Sequence, residues 1–135
     1  MSNSAIYTVN SNTAVAANGA VPFGSIIRRF GSCVNLDGSD ITVCGQGYYS
    51  VGCSVTLVPV AAGNIGIQLY ADGTPVPGAS QTGVGAAGSP LALNLSALVR
   101  QKCCGATSLS LRIVTPSGVT TGATVQNCAC VVEKI

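Results

Sequence analysis

"GQGYYSVGCSVTL", residues 45–57, decides the fold. From Val51 onward every second residue is apolar, giving Val51, Cys53, Val55 and Leu57, with Gly52, Ser54 and Thr56 between them. A period of two puts the first set on one face of a half-buried strand and the second set on the other. Within that frame Cys53 reads as a small buried hydrophobe among valines, rather than as a reactive or metal-binding group.

The same beat recurs along the chain. It runs through Ile65, Ile67 and Leu69, through Leu91, Leu93 and Leu95, and through Leu109, Leu111 and Ile113. Near the end Val125, Ala129 and Val131 share a parity. No window carries the i, i+3, i+4, i+7 stripe of an amphipathic helix. Turn signals separate the runs: "ANGA" (17–20), "LDGS" (36–39), "AAGN" (61–64) and "TPSG" (115–118). "ADGTPVPG" (71–78) places an Asp-Gly hairpin signal directly after a strand. Pro75 and Pro77 then bar the following segment from a central place in a sheet. "GASQTGVGAAGSP" (78–90) reads as a mobile loop inside the domain. Several short strands at this spacing make an all-β sandwich or barrel, and residues 1–135 read as one domain.

Taken in order, "YTVNS" (7–11), "VPFGSIIRRFG" (21–31), "GYYSVGCSVTL" (47–57), "IGIQLYADGTPVPGA" (65–79) and "VVEKI" (131–135) resemble a known domain. It is the C-terminal domain of the collagen-like glycoprotein of bacillus spore surfaces, a jelly roll of the tumour-necrosis-factor and complement-globular-head type. The resemblance implies a TNF-like jelly-roll sandwich of about ten strands that assembles as a compact homotrimer. It also implies that the Gly47-Tyr48-Tyr49 step supplies core or near-axis packing through Tyr48 and Tyr49, beside Cys53. The chain carries no collagen-like Gly-X-Y stalk. Stalkless sequences of this kind also resemble small proteins in phage structural modules.

Composition narrows the function. Only 7% of the residues are charged while 47% are apolar, against about 25% charged in an ordinary soluble domain. A single copy with so sparse an ionic coat is prone to association, so its surface is expected to be covered by copies of itself. The six basic residues form no run longer than two, and the net charge is +2. Nucleic acid is not an expected partner, since its binding needs a basic stripe with stacking aromatics. No window offers the roughly 20 consecutive apolar residues of a membrane span. The N-terminus "MSNSAIYTVN" lacks the charged start and apolar block of a signal peptide. Synthesis in the cytoplasm and release by lysis or a dedicated route are therefore expected.

Histidine is absent, which removes the usual general base, proton shuttle and metal ligand together. The acidic residues are Asp37, Asp40, Asp72 and Glu133. Asp37 and Asp72 each precede a glycine and are explained by turns. Asp37 and Asp40 together could ring a calcium ion, although loop solvation is the simpler reading. No serine has an evident activator, so no enzyme, metal or cofactor is expected.

Seven cysteines remain: Cys33, Cys44, Cys53, Cys103, Cys104, Cys128 and Cys130. Neither "QKCCGA" nor "NCACV" has the paired spacing of a zinc knuckle. If Ala129 and Val131 face the core, Cys128 and Cys130 look outward. Cys103 and Cys104 follow Lys102 in a turn. Disulfides within or between subunits are therefore expected at Cys103, Cys104, Cys128 or Cys130.

The expected role is a self-assembling structural protein on an exterior surface. A phage head-decoration or fibre-head trimer seated on a capsid protein comes first, and a spore-surface or spore-appendage subunit seated on a spore-coat protein comes second. In the filament case residues 1–10 would form a strand exchanged with a neighbour. A receptor- or glycan-binding module is the remaining alternative, with 78–90 as its loop.

Overall fold

The computed structural model describes residues 4–16, 19–31, 33–37, 40–101, 105–114 and 122–135. They form eleven strands and no helix: β1 (Ala5–Val15), β2 (Ala20–Val21), β3 (Ser25–Phe30), β4 (Val34–Asp37), β5 (Asp40–Val43), β6 (Gly47–Pro59), β7 (Gly63–Ala71), β8 (Thr74–Gly85), β9 (Leu91–Gln101), β10 (Thr107–Val114) and β11 (Ala123–Lys134). Two antiparallel sheets face each other. One has the order β3-β1-β11-β6-β9; the other has the order β4-β5-β10-β7-β8, with the short β2 beside β10. Only β4–β5 and β7–β8 are hairpins within a sheet. The links β3–β4, β5–β6, β6–β7, β8–β9, β9–β10 and β10–β11 all cross between sheets, which is the wiring of a jelly roll.

The core lies between the two inner faces and follows the alternation of the sequence. Val51, Cys53, Val55 and Leu57 of β6 are buried, and so are Ile65, Ile67 and Leu69 of β7 and Leu109, Leu111 and Ile113 of β10. Leu93 and Leu95 are buried in β9, with Leu91 packed partly against them. The Asp72-Gly73 pair turns the β7–β8 hairpin. Both residues have positive φ, 51° and 81°, and Ala71 pairs with Thr74 across them. That is the two-residue turn whose twist suits a hairpin. β8 is an edge strand, as Pro75 and Pro77 require.

The segment 78–90 departs from the mobile loop expected of it. Its first part continues β8 to Gly85 and pairs with β7. The small residues serve close packing there: a Cβ on Gly85 would fall 2.7 Å from Pro59 Cγ. The break in register between Gln68 and Tyr70 is filled by the Gln68 side chain. Its Nε2 donates to the carbonyls of Leu69, Val76 and Ala79 at 2.8, 3.0 and 3.2 Å.

The last strand corrects a second expectation. Val125 faces Leu57 and Asn127 faces Thr56, so Gln126 is an extra residue in β11. This β-bulge exchanges the two faces for everything that follows. Cys128, Cys130 and Val132 therefore enter the core, while Ala129 is half-buried and Val131 points out. Residues 5–10 pair with β11 of their own chain.

Candidate functional site

The outer face of the five-stranded sheet is built from residues of the opposite parity. Arg28, Tyr7, Val131, Gly52 and Ser96 line up across β3, β1, β11, β6 and β9. The next row is Phe30, Ala5, Glu133, Ser50 and Leu98, and Val9, Ala129, Ser54 and Asn94 make the row on the other side. Small and apolar side chains dominate, with Val131 44%, Phe30 55% and Leu98 59% exposed. Between β3, β1 and β11 a cleft of about 170 Å³ is lined by Ala5, Ile6, Tyr7, Arg28, Phe30 and Val131. The outer face of the six-stranded sheet carries Asp40, Thr42, Ser108, Ser110, Gln68 and Arg112, together with the apolar Tyr70, Val84 and Val114.

Gly52 is the informative residue on this face. It sits in the middle of a thirteen-residue strand, where glycine is unfavourable by roughly 0.5–1 kcal/mol. Nothing in its own chain requires it: a Cβ placed there meets no atom within 4 Å. Glycine at such a point keeps the surface low for another backbone or side chain to approach.

Tyr49 and Tyr48 part company at the end of β6. Tyr49 is fully buried and its hydroxyl clasps the Gly45 peptide, donating to the carbonyl at 2.6 Å and accepting from the N–H at 3.0 Å. Burial, reinforced by the nearby Cys33 thiol, pushes its pKa above the ordinary 10.0. Tyr48 is not in the core. It is 47% exposed on the outer face, with the Arg100 guanidinium 6.0 Å from its ring centroid.

The thiols are also distributed unlike the expectation. Cys128 and Cys130 are fully buried rather than outward-facing, because of the Gln126 bulge. Cys130 lies directly opposite Cys53 and donates to its sulfur at 3.0 Å, with the Cys128 sulfur 3.8 Å away. Hydrogen bonding with Cys128 and Cys53, together with burial, raises the Cys130 pKa far above the ordinary thiol value, so Cys130 stays protonated. Thr8, opposite Cys130 on β1, is buried with its hydroxyl unpartnered among the described residues. Cys103 and Cys104 lie outside the described residues.

The acidic residues reveal a link that sequence spacing did not show. The Asp40 carboxylate accepts from the Ser108 hydroxyl at 2.8 Å, and the Asp72 carboxylate accepts from the Ser108 N–H at 3.0 Å. Both are thus engaged in tying turns to β10. Among the described residues no group of three potential ligands has the geometry of a metal site. The polar groove of about 350 Å³ between β8 and β9 is lined by Gly78, Ser80, Gln81, Asn94, Leu95 and Ser96. It offers hydroxyls and amides but no aromatic platform.

No protein-family model matches the sequence, and no curated protein is similar to it. Solved structures are similar in fold over almost the whole chain. Murine APRIL superposes with a TM-score of 0.70 at 10% identity, covering 98% of both chains. The Eiger TNF of S. frugiperda gives 0.67 at 13%, covering 99% of this chain and 92% of that one. The PRD1 vertex protein P5 gives 0.66 at 14%, covering 98% of this chain and 73% of that one. The chain thus shares the jelly-roll fold of these structures.

Proposed function

We propose that the protein is a non-enzymatic, self-assembling structural module. Copies associate through the outer face of the β3-β1-β11-β6-β9 sheet into a homotrimer that decorates an exterior surface, a phage head or fibre tip above all. The observation that carries this reading is Gly52. It is a costly residue with open space above it, in the row that also holds Tyr7 and Val131, on a molecule with only 7% charged residues. Burial of Val131, Phe30 and Leu98 against a neighbour would remove three large exposed apolar side chains of that face from water. The vertex protein among the structures of similar fold supports the virion setting. A capsid protein is the partner proposed beneath the trimer.

A spore-surface role is the second reading, and the sequence segments resembling the spore glycoprotein domain favour it. A glycan-binding role ranks lower, because the β8–β9 groove has no aromatic side chain on which a sugar ring could stack. Immunogold electron microscopy of material from the producing cells separates the settings. Label on phage particles is the expected result, label on spores transfers the protein to the second reading, and label confined to the cytoplasm overturns both.

A further inference from the structure

Cys53 and Cys130 stand in register on β6 and β11, the two central neighbours of their sheet, and both point into the core. Residues opposed across an antiparallel pair have Cα atoms about 4.5–5.5 Å apart, inside the window that a disulfide spans. Their sulfurs are already 3.0 Å apart, so a bond needs a closure of only about 1 Å. Cys128 competes poorly. It lies two residues from Cys130 on the same strand, where extended geometry sets the Cα atoms about 6.6–6.8 Å apart, at the far limit of that window. Its sulfur is also the more distant, at 3.8 Å.

We propose that Cys53 and Cys130 form an intrachain disulfide in the mature protein, welding β6 to β11, and that Cys128 beside them remains a thiol. The oxidant is a small-molecule disulfide of the glutathione class. One cysteine, as thiolate, attacks that disulfide to give a mixed disulfide and release one small thiol. The second cysteine then displaces the other small thiol, so the two cysteines lose two protons and two electrons and two small thiols are formed. The exchange belongs to folding, before the sandwich closes, because both sulfurs are shielded from solvent afterwards. The bond closes a loop between positions 77 apart in sequence, which constrains the unfolded chain strongly.

The test is disulfide mapping of the full chain produced in a host with an oxidising cytoplasm. The purified protein is unfolded in the presence of an alkylating reagent, digested without reduction and sequenced by mass spectrometry. The expected result is a linked pair of peptides bearing Cys53 and Cys130, lighter by two hydrogen atoms than the separate peptides, with Cys128 alkylated. The Cys128→Ala variant retains the same link. The linked form is expected to melt roughly 15 °C above the reduced form of the same chain. Cys53 and Cys130 both found alkylated, Cys130 joined to another cysteine, or a linked form that melts no higher than the reduced one overturns the proposal.

Discussion

Replacing Gly52 by valine should act in opposite directions on the single chain and on the assembly. In the single chain the new side chain meets no atom within 4 Å of its Cβ. It also replaces the residue least suited to a strand interior by one of the best suited. The β-propensity scale spans about 1 kcal/mol, so the isolated fold should gain about 1 kcal/mol. In the proposed trimer the same side chain would project into a surface that another copy occupies. Overpacking costs about 1–3 kcal/mol at each site, hence roughly 3–9 kcal/mol over three copies; a trimer's midpoint concentration follows the square root of its dissociation constant, so at least about a tenfold higher concentration is needed for assembly. Urea denaturation followed by circular dichroism, at a dilution where both proteins are single chains, reads the first effect. Sedimentation velocity across a dilution series reads the second. A Gly52→Val protein that assembles like the wild type refutes the reasoning, and so does one whose single chain is destabilised.

Val131→Asp should abolish assembly while leaving the fold intact, since it buries an unpaired carboxylate between copies. Ser110→Asp, on the outer face of the other sheet, should assemble normally by the same sedimentation measurement. Tyr49→Phe orphans the Gly45 N–H and carbonyl and should lower the urea-derived stability by about 1–3 kcal/mol. The raised Tyr49 pKa adds a pH signature. Its contribution is complete below the ordinary value of 10.0 and is lost as pH rises through the higher folded value. The wild-type denaturation midpoint should therefore fall in alkaline titration above that point, less steeply in Tyr49→Phe.

Much of the fold was legible because alternation over Val51–Leu57, Ile65–Leu69 and Leu109–Ile113 survives intact in the structure. The Asp72-Gly73 turn was legible because few residue pairs tolerate positive φ twice in succession. The orientation of β11 was not. A bulge at Gln126 leaves no compositional trace, yet one inserted residue moves Cys128 and Cys130 from the surface to the core. The segment 78–85 was obscured for another reason. Small residues serve flexible loops and tight packing alike, and only the approach of Pro59 to Gly85 shows which applies. The candidate face was half visible: sparse charge pointed to an associating surface, but the empty space above Gly52 exists only in three dimensions. Likewise the Cys53–Cys130 pairing depends on a register between strands 77 positions apart.

Native mass spectrometry of the full chain over a wide dilution series bears most directly on whether sister copies shield the outer face of the five-stranded sheet. A dominant species of three times the chain mass, persisting to low concentration and lost in Val131→Asp, is the predicted result. Single chains at every concentration, with the wild type and Val131→Asp indistinguishable, would contradict it.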